Sequence, residues 1–261
     1  MKIRADLIAS LALMLGATAI TGAAEPAAPA RTAKPSVLTE LQKQGLEILG
    51  EFDAPGGLRG FAGAAGQQPG AVYLTPDGKH AVVGTLLDAK GNDVSAPVLQ
   101  RMVVEPLSKR TWSQLEKSAW VADGRADAPR IVYAFMDPNC PYCHRFWKAA
   151  RRWVDTGKVQ LRHILVGVIR EDSAHKAAVI LSAASPSEAF TLNEQRQAQG
   201  GIAALAVIPE ALRARLDANE RLMMDLGVHG TPGVAYRDEA GLVQVVSGPP
   251  PEDMNKILGP P

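Results

Sequence analysis

The sequence predicts an α+β N-terminal domain, a helical linker, and a C-terminal α/β domain interrupted by a helical insertion. Three observations predict it. Short alternating strands separated by Gly/Pro turns fill the first part of the chain. Residues 131–135 form a continuous apolar run typical of a strand buried on both faces. That run leads directly into an amphipathic helix. At 261 residues, with 21% charged and 5% aromatic content, the chain is long enough for two domains and is not a disordered or multispanning chain. A formal net charge of +1 gives no electrostatic support for nucleic-acid binding.

From the start, Lys2 and Arg4 precede an apolar run from Leu7 to Ile20, and Gly22-Ala23-Ala24 closes it with small residues. This is the pattern of a cleavable export signal, residues 1–24, whose apolar run of fourteen residues is short of the ~20 of a spanning helix. Residues 25–35 are rich in Ala and Pro and form a flexible tether. The N-terminal domain, residues 36–97, opens with a helix from Ser36 to Gln44 that Gly45 stops. Strands follow, and Thr75-Pro76-Asp77-Gly78 sets a hairpin turn. Gly57, Gly60, Gly63 and Gly66 recur every third residue without the context of a phosphate loop, so they mark a bent or bulged strand region.

The linker, residues 98–128, contains a helix starting near Thr111, where Thr111 and Gln114 have capping-box spacing and Trp112, Leu115, Ala119 and Trp120 share a face. Residues 129–261 form the α/β domain. Its strand at 131–135 passes through Asp137-Pro138-Asn139 into a helix with Phe146, Trp147, Ala150, Trp153 and Val154 inward and Arg145, Lys148, Arg151 and Arg152 on a solvated basic face. Val159 to Ile169 reads as a strand and 173–226 as mostly helical. Strands at 233–236 and 242–246 and a helix at 251–258 complete the chain.

Cys140 and Cys143 are the only cysteines, so the chain is neither a disulfide-stapled scaffold nor a four-thiolate zinc site. In Cys140-Pro141-Tyr142-Cys143 the first cysteine lies where a strand hands over to a helix. Unpaired N–H groups there favour a thiolate, the attacking species in disulfide exchange. Cys140 is then the nucleophile and Cys143, one turn on, resolves the mixed disulfide. Pro141 suits the first helical turn. His144 either tunes the thiols or faces solvent. Read with His144, the same residues also match a C-x-x-C-H haem attachment sequence, with Met223 or Met254 as distant axial ligands. No metal site or other cofactor is expected.

Phe135-Met136-Asp137-Pro138-Asn139 through Cys143, followed by Phe146-Trp147, resembles the thioredoxin domain of the DsbC/DsbG family, and its DsbG members most. Leu74 to His80, Trp112 to Gly124 and Trp153 to Ile169 extend the likeness over nearly the whole mature chain. The resemblance implies a V-shaped homodimer joined through cystatin-like N-terminal domains, with helical linkers and two thioredoxin-fold domains facing one cleft. It also implies Thr231-Pro232 as a cis-proline loop beside the cysteines, where sequence alone favours trans. Its partners would be misoxidised or sulfenylated periplasmic proteins and a DsbD-like membrane reductase. Departures are visible. Ala134 stands where many thioredoxins keep a buried carboxylate, and Tyr142 stands where a strongly oxidising relative has histidine. A second cysteine pair of the DsbC type is missing. The expected activity is thiol–disulfide isomerase or reductase; a thiol oxidase and a chaperone-like binder are the other readings.

Overall fold

The structure, a computed structural model, describes residues 35–260; the expected export signal and all of the tether but Pro35 lie outside the described residues. Helix α1 (Ser36–Lys43) leads into β1 (Leu46–Asp53), β2 (Arg59–Ala65), β3 (Gln68–Leu74) and β4 (Ala81–Val83). These strands form one antiparallel sheet in sequence order, and the hairpin between β3 and β4 pairs Leu74 with Ala81. Both faces are covered. Leu38 of α1 packs with Phe61, Val72 and Leu74 on one face, while Ala62 and Ala64 meet Val103 and Leu107 on the other. The glycine periodicity has a local cause. A Cβ at Gly63 would lie 2.4 Å from the Glu47 carbonyl oxygen, beside the point where β1 shifts register between Ile48 and Gly50. Gly57 and Gly66 take positive φ in the flanking turns.

The linker helix begins earlier than Thr111. Helix α2 (Ala96–Leu99), a π-helical turn at Gln100–Val104 and α3 (Glu105–Lys117) run on without interruption. The early start follows from packing: Val98, Leu99, Met102, Val103 and Leu107 cover the small sheet, burial that a capping signal at Thr111 does not report. The helix also stops before Ala119. Trp120 lies in β5 (Trp120–Asp123), an edge strand antiparallel to β7 (Val159–Leu165). The second sheet therefore includes residues earlier than 129.

That sheet has the order β5-β7-β6-β8-β9, with β6 (Arg130–Met136), β8 (Gly233–Arg237) and β9 (Val243–Ser247). Only β6 and β7 run parallel. Along β6, Val132, Ala134 and Met136 enter one core, and Tyr133 and Phe135 enter the other. This two-sided burial is why the run has no polar alternation. The first face is covered by α4 (Pro141–Val154), α5 (Ser173–Ser182) and α6 (Pro186–Gln195), with α8 (Met254–Leu258) at the end. The other face is covered by α3 and α7 (Glu210–Asp225). The strand expected to reach Ile169 ends at Leu165, because the amides of Val168 and Ile169 turn to bond Asp137 instead of a neighbouring strand. The helical insertion is α5, α6, a short 3-10 turn and an irregular stretch before α7.

Arg151 departs from the expected solvated face. Its guanidinium reaches back to the buried Asp123, which also accepts from Trp147 Nε1 at 3.1 Å and His163 Nε2 at 3.0 Å. His163 is fully buried and stacks on Phe190 at 4.1 Å between ring centres. Burial pushes the Asp123 carboxyl up, but the bonds from His163 and Arg151 outweigh it and hold it at about 2. The cluster ties α4 to β5 and β7. Asp123→Ala strands an Arg, a His and an indole N–H, so it is expected to lower unfolding stability by about 3 kcal/mol in urea titration. The depressed folded-state value also fixes a pH window. The Asp123 contribution is complete above the ordinary carboxylate range and is lost as pH falls from about 4 towards 2.

Candidate functional site: the Cys140–Cys143 pair

Cys140 sits between β6 and α4 as the N-cap of α4, and its sulfur takes the place of a capping oxygen. The backbone N–H of Cys143 donates to Cys140 Sγ at 3.4 Å. Pro141 follows at the first helical position, where no N–H is needed. Both thiols are free and buried, Cys140 at 3% exposure and Cys143 at 0%. Their environments differ. Cys140 is held down to about 6 by the hydrogen bond from the Cys143 thiol first of all; burial opposes this, and Thr231 and the backbone amides of Cys143 and Tyr142 assist. Burial pushes the Cys143 thiol well above its ordinary value, and the neighbouring Cys140 adds to that. One sulfur is thus a thiolate at neutral pH while the other keeps its proton.

The turn carrying Cys140 is fixed from behind. Asp137 Oδ1 accepts from the Asn139 amide and the Ser173 hydroxyl, each at 2.8 Å. Asp137 Oδ2 accepts from the amides of Val168 and Ile169 at 2.7 and 2.9 Å. Asn139 donates to Asp172 and Ser173 and accepts from Lys176 Nζ at 2.7 Å. The Asp-Pro-Asn tripeptide signalled a turn; nothing in the sequence pointed to Ser173 and Lys176 as its supports, since they lie more than thirty residues away.

The Thr231–Pro232 bond is cis, and the Thr231 carbonyl lies 3.3 Å from Cys140 Sγ. Among the described residues the buried Thr231 hydroxyl finds no hydrogen bond of ordinary geometry. Tyr142 is exposed, with Arg145 stacked over its ring at 4.2 Å. Tyr142, Phe146, Thr231, Pro232, Pro249 and Met254 line an apolar hollow of about 190 Å³ beside the thiols. His144 does not simply face solvent. Its Nδ1 lies 3.1 Å from Glu194 Oε2, and its ring tilts against Trp147. Glu194 is an acid that the sequence hid, one charged residue in a helix of the insertion. His229 is exposed and borders a separate hollow with Gln67 and Met224. His80 is exposed beside Asp77, and His175 bonds the Leu205 carbonyl.

A haem on the C-x-x-C-H sequence would need both sulfurs directed outward. Cys143 is fully buried and His144 is engaged by Glu194, so the geometry does not favour it. A thiolate at a helix N-terminus beside a cis-proline loop, with a buried thiol one turn behind it, is the arrangement of a thioredoxin-fold thiol–disulfide oxidoreductase.

The thioredoxin family model matches residues 117–235. The DsbG thiol:disulfide interchange protein of Pseudomonas aeruginosa is 50% identical over 227 residues, covering 87% of this chain and 89% of the relative. The Escherichia coli DsbG is 42% identical over 229 residues, covering 86% and 91%. The DsbC of Pasteurella multocida is 29% identical over 237 residues, covering 87% and 88%. The chain belongs to the DsbG family of thiol:disulfide interchange proteins, and thiol–disulfide interchange is its activity. Among the described residues no helix is long and apolar enough to cross a membrane.

The two thiols should titrate apart. Thiolate absorbance and alkylation are expected to give a single group with a midpoint near pH 6, assigned to Cys140, with thiolate lost as pH falls below it. Cys143→Ala should raise that midpoint, because the largest stabilising bond is removed. Two sulfurs titrating together in the ordinary thiol range would contradict this assignment.

Proposed function

We propose that the protein is a periplasmic disulfide isomerase and reductase acting on other proteins, with Cys140 as nucleophile and Cys143 as resolving thiol. The observation that carries the reading is the asymmetry of the pair: Cys140 Sγ caps the N-terminus of α4, where hydrogen bonds hold it down, and Cys143 is fully buried, which pushes it up. The Cys140 thiolate attacks a substrate disulfide, one S–S bond forms as another breaks, and the leaving sulfur takes a proton. Cys143 then attacks the mixed disulfide, or the released substrate thiolate does so and leaves a rearranged pairing. A sulfenylated lone cysteine is a second substrate of the same chemistry. Its hydroxyl leaves as water when Cys140 forms the mixed disulfide, and Cys143 releases the reduced cysteine.

Pro141 fixes the first turn of the helix, Tyr142 and His144 tune the site, and Thr231 with Pro232 receives the substrate backbone in the manner of strand addition. The apolar hollow beside them suits an unfolded segment, whose apolar side chains are accessible. The N-terminal unit is a cystatin-like dimerisation domain. Its β4 edge carries Val82 and Val83, both more than half exposed, with Leu87 nearby. An apolar strand edge of this kind is ready to pair with a second copy. The linker helix then sets two thiol sites across one cleft. Export by a cleavable signal places the protein in the periplasm, where a DsbD-like membrane reductase returns the pair to the dithiol.

Two experiments test this reading. Cys143→Ala in the exported protein is expected to accumulate mixed disulfides with other periplasmic proteins, visible on non-reducing gels and absent from the Cys140→Ala control. Absence of adducts from a variant whose Cys140 still alkylates would overturn the exchange route. For the dimer, Val82→Lys with Val83→Lys places charge on the pairing edge. It should shift sedimentation equilibrium to monomer by about a hundredfold or more in dissociation constant, as expected for loss of about 3 kcal/mol.

A further inference from the structure

The second sheet ends at β9, which among the described residues pairs on one side only, with β8. Its register shows which backbone groups face outward. The Asp238 amide bonds the Leu242 carbonyl, and the Gly248 amide bonds the Pro232 carbonyl at 2.8 Å. Even-numbered residues from 242 to 248 therefore turn their backbone towards β8, and Val243, Val245 and Ser247 turn theirs to the free edge. The Val243 amide donates to the Ser108 hydroxyl of α3 at 2.8 Å. Among the described residues the outward amides of Val245 and Ser247 have no partner.

A free edge is usually blunted by lysine, proline, a bulge or a covering segment. The strand Val243-Gln244-Val245-Val246-Ser247 carries no charge and no proline, and its register with β8 is unbroken. Beside it lies a hollow of about 630 Å³, lined by β9, by Ser108 and Thr111 of α3 and by the β2–β3 turn at Gln67. Asp225 and His229 are the only titratable side chains on this lining, so the edge is polar through its backbone rather than through fixed charge. The edge also leads to the thiols. Ser247 lines this hollow, and the next residues, Gly248 and Pro249, line the apolar hollow beside the cysteines. Gly248 holds Pro232 through its amide, and the Thr231 carbonyl lies 3.3 Å from Cys140 Sγ.

We propose that the free edge of β9 is a second docking track for substrate: an extended, unfolded segment flanking the reacting cysteine adds to the sheet as a sixth strand, in the hollow between β9, α3 and the β2–β3 turn. The proposal deepens the reading of protein substrates given above and rests on it. A five-residue edge is about 17 Å long and presents main-chain groups at every second residue. Those groups recognise backbone, whatever sequence carries it. A folded substrate has its backbone already paired and gains nothing there, whereas an unfolded one gains a partner. The edge thus selects misfolded chains by their unpaired backbone and holds them while Cys140 exchanges their disulfides.

The test is amide exchange followed by NMR, in Cys143→Ala joined through Cys140 to an unfolded polypeptide with a single cysteine. The Val245 and Ser247 amides are expected to exchange freely in the unbound protein and to slow by about tenfold or more in the adduct. A mixed disulfide with glutathione, which has no flanking segment, should leave them fast. Fast exchange in both adducts overturns the proposal. Slow exchange already in the unbound protein overturns it as well, since the edge is then taken by a second copy or by another segment of this chain. A second measurement uses Ser247→Pro, which removes one outward donor at an exposed position. The kcat/KM for an unfolded protein with scrambled disulfides, divided by that for oxidised glutathione in the same variant, should fall about fivefold, the loss of one backbone hydrogen bond. An unchanged ratio overturns the proposal, and the division removes any effect on the thiols themselves. Absence of an adduct with either partner would instead overturn the exchange route through Cys140, on which the proposal rests.

Discussion

Four hydrogen bonds into the Asp137 carboxylate fix the turn between β6 and α4, and the position of Cys140 Sγ depends on that turn. The donors come from the turn itself, from the segment after β7 and from the first turn of α5. One buried carboxylate thus joins the strand that ends at the site to the two elements beside it. With the turn held, the first amides of α4 point at Cys140 Sγ, and the sulfur caps the helix it precedes. A capping atom at a helix N-terminus sits in a positive partial charge, which favours the thiolate. The difference between the two cysteines has two causes: hydrogen bonds from Cys143 and the first amides of α4 hold Cys140 down, while burial under the helix leaves the charged form of Cys143 unsolvated and pushes it up.

The helical insertion has a chemical place as well as a packing one. Phe190 covers His163 over the sheet, and the next turn of α6 delivers Asn193 and Glu194 to the edges of the motif. Lys176 of α5 reaches Asn139 directly before Cys140. The insertion therefore packs against both ends of the motif, at Pro138 and Asn139 before Cys140 and at His144 after Cys143. Tyr142 stays exposed, beside the apolar hollow.

The small sheet is built on different terms. Its interior is largely alanine and glycine on β2, so helix and strands approach closely, and few bulky residues are spent on it. The continuous run from α2 through the π turn into α3 buries one set of side chains against this sheet and then Trp112 and Leu115 against the other. A single helical run thus contributes to the cores of both parts.

The sequence by itself determined the order of elements, the strand-to-helix place of Cys140 and the separate roles open to the two thiols. These are local properties: apolar periodicity, turn residues and the spacing of one motif all act within a few residues. The apolar run of β6 was legible because both its faces are buried, and the inward face of α4 because its period is helical. The start of the linker helix was not legible, because contact with a distant sheet extends it beyond its capping signal. Trp120 was misplaced on the helix because a tryptophan satisfies helical and strand patterns equally until its partner strand is known. Only the tertiary structure brought Asp123 to Arg151 and His163, Asp137 to Ser173, and Glu194 to His144. In sequence each looks like an ordinary surface charge. Folding buries them, and a buried charge must find its partners at whatever sequence distance the fold provides.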